Sequence, residues 1–160
     1  GRVDVRAAMP EGKGMWPALW MLGDNITTVS WPYSGEIDIM EMVGGTSTPN
    51  RGDNVCHGTA HWHDGRAHAE LNGNTKAIKG KLADEFYVYS IIWDSNSIRW
   101  FLNDRKYHSI DITLNDLSEF HQKFFFIFNL AVGGNWPGSP DNETTFPQKM
   151  YIDYIRVFQK

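Results

Sequence analysis

An antiparallel β-sandwich is the fold this sequence predicts, and three observations predict it. Apolar and polar residues alternate at period two in about nine separate stretches, the spacing of strands with one buried and one wet face. Helical patterning is confined to one turn, at residues 114–120. Short polar turns, such as Asp94-Ser95-Asn96-Ser97 and Asn103-Asp104, separate neighbouring stretches and suit hairpins. Many strands with almost no helix make an all-β sandwich. A chain of 160 residues is one domain, 1–160, with room for one substantial core.

Taken in order, residues 2–9 alternate cleanly and form a first strand, broken by Pro10, Gly12 and Gly14. Residues 14–22 form a second, with Trp16, Ala18 and Trp20 on one face and Leu19 and Met21 on the other. Pro17 cannot donate to a ladder, so this strand is expected at an edge or a bulge. A polar loop at 23–33 leads into an acidic strand at 34–42, followed by a long loop at 44–54. Residues 55–62 place His57, Thr59 and His61 on one strand face. Residues 64–82 are polar and weakly patterned, which reads as short strands and loops. Residues 85–93, 98–102 and 106–112 make a three-stranded meander. The most apolar strand, 124–132, runs into a Gly/Pro loop that carries Trp136, and residues 149–158 close the chain.

Composition narrows the function. The net charge is -4 and no run of Lys or Arg occurs, which argues against nucleic acid and anionic membranes as partners. No apolar run reaches membrane-spanning length. Cys56 is the sole cysteine, so no internal disulfide forms. Seven Trp and an aromatic content of 14% exceed what a small core needs, so some rings are expected on a surface that meets a flat, partly apolar ligand.

The chemistry concentrates in Ser34-Gly35-Glu36-Ile37-Asp38-Ile39-Met40-Glu41-Met42. Glu36 and Asp38 share a strand face, and the next position on that face is Met40. Glu41 rejoins it only through one extra residue, a β-bulge near Met40, and bulges gather beside active sites because they re-aim a side chain. Three acids on one face repel, and at least one pKa should rise. Retaining glycosidases hold two carboxyl groups about 5–5.5 Å apart, one as nucleophile and one as acid/base. Four strand rises separate the Glu36 and Glu41 backbones by about 13 Å, a gap two inward-leaning Glu side chains largely close. Asp38 lies between them, placed to tune a neighbour. A solvated strand face is the bland alternative.

Other residues carry weaker signals. His57, His61 and His63 have no Cys partner and no His-Glu helix motif, so they do not meet the pattern of catalytic zinc; His61 reads as a polar group near the acids. Trp16 and Trp20 fit either core or ligand contact, whereas Trp136, in a Gly/Pro loop, fits ligand stacking better. Asp153 is a lone acid in an apolar strand; if buried it needs a partner, such as Arg156 or a nearby Lys.

Five motifs then combine: Gly14-Met15-Trp16-Pro17-Ala18-Leu19-Trp20-Met21-Leu22; Gly35-Glu36-Ile37-Asp38-Ile39-Met40-Glu41; His57-Gly58-Thr59-Ala60-His61-Trp62; Asn129-Leu130-Ala131-Val132-Gly133-Gly134-Asn135-Trp136-Pro137-Gly138; and Met150-Tyr151-Ile152-Asp153-Tyr154-Ile155-Arg156-Val157-Phe158. In this order they resemble glycoside hydrolase family 16, and within it the laminarinases, which are endo-β-1,3-glucanases. The resemblance implies a jelly-roll, concanavalin-like sandwich with a concave cleft for β-glucan. It implies retaining hydrolysis without a catalytic cofactor, with Glu36 as nucleophile, Glu41 as acid/base and Asp38 as assistant. It also implies sugar contacts from Trp16, Trp20, His61, Asn129 and Trp136, a structural calcium held in part by Asp153, and a secreted or periplasmic location. Family members carry further strands ahead of the segment that begins here at Gly1. The chain is therefore expected to be the C-terminal portion of a catalytic domain, completed by a second polypeptide that supplies N-terminal strands. A non-catalytic β-glucan-binding module and a mixed-linkage β-1,3-1,4-glucanase are the alternatives.

Overall fold

The computed structural model describes residues 1–159. Ten strands form two five-stranded antiparallel sheets packed face to face. The first has the order β10-β1-β6-β7-β8, from β1 (Arg2–Ala8), β6 (Tyr87–Trp93), β7 (Ser97–Leu102), β8 (Arg105–Asp111) and β10 (Tyr151–Phe158). The second has the order β5-β4-β3-β2-β9, from β2 (Met15–Gly23), β3 (Glu36–Glu41), β4 (Val55–His63), β5 (His68–Lys76) and β9 (Phe124–Val132). The expected sandwich and its 85–112 meander are both present.

Three details depart from the sequence reading. The region 64–82 contains a continuous strand, β5, which pairs with β4 from Val55↔Lys76 to His63↔His68. Its residues are mostly exposed, so no apolar alternation marks it. The loop at 23–33 contains a short helix, α1 (Ile26–Val29). Pro17 lies in a central strand, not an edge, because β2 pairs with both β3 and β9. Its carbonyl accepts from Met42 N just past the end of β3, so the missing donor falls where that ladder has already stopped.

The core lies between the sheets. Val5, Tyr89, Ile91 and Trp100 of one sheet meet Leu19, Ile37, Ile39 and Cys56 of the other, all buried. Burial pushes the Cys56 thiol up to about 12, so it packs as a small apolar group. Trp100 reaches across and donates its indole N–H to the backbone carbonyl of Asp38 at 2.8 Å. Gly58 makes room for this: a Cβ there would lie 2.4 Å from Trp100 Cδ1. The middle of the acidic strand is thus fastened to the opposite sheet.

One side of the sandwich is open. β9 and β10 are edge strands, and Phe125, Val132, Ile155, Val157 and Phe158 are exposed on them. Between these edges lies an apolar groove of about 510 Å³, lined by Val3, Met21, Phe126 and Val157 among others.

Candidate active site

The bulge in β3 is present. Against β2, Asp38 pairs with Trp20 and Met40 with Leu19, leaving Ile39 as the extra residue. Against β4, Glu36 faces His61, Asp38 faces Thr59 and Glu41 faces His57. Ile37, Ile39 and Met40 all go to the core, and the three acids share the outer face.

Each acid has a defined partner. The indole N–H of Trp31 donates to Glu36 Oε2 at 2.8 Å. The indole N–H of Trp16 donates to Glu41 Oε1 at 2.8 Å. Asp38 Oδ2 lies 3.0 Å from His61 Nε2. Burial is the largest influence on all three carboxyl groups, and it disfavours their charged forms. Glu36 is pushed up to about 7 by burial and by the neighbouring Asp38 charge, against the opposing pull of His61 and Trp31. Asp38, fully buried, is raised well above the ordinary range by burial and by Glu41. Glu36 and Asp38 also hydrogen-bond each other, so the pair retains a proton near neutrality. Glu41 is raised by burial, and the Trp16 hydrogen bond works against that shift.

The acids open into a cleft of about 770 Å³, whose walls include Trp16, Trp31, His57, His61 and Trp136. Trp136 meets Trp16 edge-on at 5.7 Å and His57 at 5.1 Å. Burial lowers the pKa of His57 and favours its neutral ring. Asn72 bridges two wall residues, donating to Thr59 Oγ1 at 2.8 Å and lying 3.4 Å from His57 Nδ1. Of the residues singled out from sequence, Trp16, His61 and Trp136 border the cleft together with Glu36 and Glu41. Trp20 and Asn129 lie toward β9 instead, bonded to each other through Trp20 Nε1 and Asn129 Oδ1 at 2.8 Å. Asp153 is exposed rather than buried, and its partner is Arg6 on the adjacent strand, not Arg156. Calcium takes 6–8 oxygen ligands. Among the described residues Asp153 joins no cluster of three His, Cys, Asp or Glu ligands, so the residues present do not fit a calcium cage by themselves.

Sequence reasoning missed Trp31, Asn72, His68 and Glu70, all of which line the cleft. Trp31 sits in a stretch read only as a polar loop, where no spacing marks it. The others are on β5, the strand that carries no apolar alternation.

A family model for the glycosyl hydrolases family 16 matches residues 1–156. The chain belongs to glycosyl hydrolase family 16. It is 40% identical to the beta-glucanase of Rhodothermus marinus, over 99% of this chain and 57% of that protein. It is also 40% identical to the clotting factor G alpha subunit of Tachypleus tridentatus, over 99% of this chain and 23% of that protein. The laminarinase catalytic domain of Thermotoga maritima superimposes with a TM-score of 0.83 at 42% identity, covering all of this chain and 64% of that one. The chain therefore spans less than two thirds of the length of each of these relatives.

Proposed function

We propose that this family 16 chain carries the catalytic strand of a retaining endo-β-1,3-glucanase acting on laminarin-type glucan. The observation that carries the reading is the bulged row itself. One extra residue at Ile39 brings Glu41 to the face of Glu36 and Asp38, beneath an aromatic-walled cleft. Similarity to a laminarinase catalytic domain supports the β-1,3 linkage. In this reading the Glu36 carboxylate attacks the anomeric carbon while Glu41 gives its proton to the departing glycosidic oxygen. Glu41 then takes a proton from water, which attacks the same carbon and releases Glu36. Asp38 shares a proton with Glu36 and takes it up as Glu36 enters the reaction ionised. Trp16 and Trp136 offer flat apolar surfaces to the C–H faces of the sugars. Substrate of this kind is polymeric and extracellular, which fits a secreted or periplasmic protein.

The reading includes a second polypeptide covering the β9 and β10 edges. Exposed apolar edge strands on both sheets, with a groove between them, favour such a cover. Reducing-end assays on laminarin and on mixed-linkage glucan, with Glu36→Gln and Glu41→Gln as controls, test the activity. Both variants are expected to lose it, and wild-type rates in both would end the assignment. Native and denaturing mass measurements test the cover. A single monomeric 160-residue species that unfolds cooperatively would exclude it.

A further inference from the structure

Beside the acidic row, but outside it, three donors converge. His61 Nδ1 lies 2.9 Å from His68 Nε2 and 3.4 Å from Glu70 Oε2, and His68 Nε2 lies 4.0 Å from the same oxygen. Zinc bonds of about 2.0–2.2 Å at the tetrahedral angle separate donor atoms by about 3.3–3.6 Å. The three observed separations bracket that edge length. We infer that His61, His68 and Glu70 form a zinc site on the wall of the cleft, with water as the fourth ligand.

Three further features support it. The donors stand on paired strands, with His61 opposite Glu70 and His63 opposite His68, so no loop must rearrange to bring them together. The turn between those strands is braced by Asp64 Oδ1, which accepts from Arg66 N and Ala67 N. Next, the far nitrogen of His61 is already held: Nε2 faces Asp38 Oδ2 at 3.0 Å. With the N–H at Nε2 donated to Asp38, the lone pair of His61 is at Nδ1, on the side of His68 and Glu70. A histidine that gives its other N–H to a carboxylate is the usual outer support of a zinc ligand. Finally, Nδ1 of His61 is approached by two groups at once, His68 Nε2 at 2.9 Å and Glu70 Oε2 at 3.4 Å. A divalent ion placed among them would take all three as ligands, replacing the His61–His68 hydrogen bond with metal bonds. Imidazole with carboxylate, at a position partly open to water, suits zinc among the divalent metals.

A competing location exists, because Glu36, Asp38 and His61 also bring ligand atoms within 4.8 Å of one another. The test separates the two. Zinc is titrated calorimetrically into the purified protein and into His68→Ala, Glu70→Ala and Glu36→Gln, and cobalt absorption in the visible reports ligand geometry. One zinc per chain in the micromolar range is expected. At least tenfold weaker binding is expected for His68→Ala and for Glu70→Ala, and less than twofold change for Glu36→Gln. Intense tetrahedral cobalt bands should fade in His68→Ala. His68 and Glu70 are on the surface, so folding of both variants is expected, and His68→Gln provides a second, bulkier check. No binding at millimolar zinc overturns the inference. So does affinity that survives both surface variants, or that falls with Glu36→Gln alone. Because the readout is binding, failure here leaves the glucanase reading untouched.

Discussion

Glu36 and Glu41 are built alike and behave differently. Each ends the acidic row, each receives an indole N–H at 2.8 Å, and each faces a histidine across the β4 ladder. At the Glu36 end a second acid is hydrogen-bonded alongside, and His61 engages that acid through one nitrogen and His68 through the other. At the Glu41 end the histidine is His57, buried and biased toward its neutral form, with its Nε2 lacking a hydrogen-bond partner and its ring against Trp136. One end is a pair of carboxyls sharing a proton; the other is a single acid in a drier, aromatic corner. The difference teaches that matching backbone registers and matching indole donors do not assign chemical roles. The neighbours across the strand and along it do.

The comparison breaks most sharply with the end residues themselves. With Glu36 as the proposed nucleophile, Glu36→Gln is expected to lower hydrolysis more than about 10⁴-fold on every substrate, since no other group would replace it. Glu41→Gln should cost about 10²–10⁴-fold on glucan, the range for general acid–base catalysis, yet far less on aryl glucosides whose leaving group needs no proton. Rescue in both variants, or in neither, would erase the distinction between the ends. The next effect belongs to Asp38. Asp38→Asn removes a hydrogen bond to a charged group, for a loss of about 10–100-fold in rate. It also removes a charge that holds the Glu36 pKa up, so the acidic limb of kcat/KM should move to lower pH. An unmoved limb would show that the two carboxyls do not share their proton. At the Glu41 end, Trp136→Ala should weaken laminari-oligosaccharide binding about fivefold, near 1 kcal/mol, leaving the pH profile in place. Calorimetry alongside the pH series checks both halves of that statement.

The smallest expected effect is on stability. Folding raises the Glu36 carboxyl from 4.5 to about 7, so the folded protein holds that proton more tightly than the unfolded chain. The associated stability is complete below about pH 4.5 and is lost as the pH rises through 7. Glu36→Gln stays neutral and escapes this loss. Its Tm should exceed that of the parent at pH 8 by a few degrees, at roughly 2–4 °C per kcal/mol for a chain of this size, and should match it near pH 4. A gap independent of pH would place the strain elsewhere.

How far the sequence revealed this arrangement depended on the kind of signal each part carries. The sandwich was readable because most strands bury one face, and burial writes itself as period-two alternation. The bulge was readable because Met40 and Glu41 stand in the wrong order for a regular strand, and chemistry supplied the reason to move them. β5 was hidden because it is mostly exposed and so has no apolar face to print on the sequence. With it went His68 and Glu70, whose relation to His61 exists only through the β4–β5 register. Trp31 was hidden because indole-to-carboxylate hydrogen bonding leaves no periodicity. Pro17 is tolerated inside a central strand because only the donor facing the end of β3 is lost, and residue type alone does not show on which side of a strand that gap falls.

The spare residue in β3 has an evolutionary side. In an ordinary strand an insertion or deletion of one residue exchanges inside for outside along everything that follows. Here Glu36 to Asp38 and Glu41 keep their partners on β4 whether or not Ile39 intervenes, since His61, Thr59 and His57 are already spaced for a row without it. Loss of that residue would leave all three acids facing outward and the remaining ladder regular. The strand proposed to carry the chemistry therefore contains a joint that tolerates a change of length, and the spacing of its acids is free to vary among descendants without a new fold.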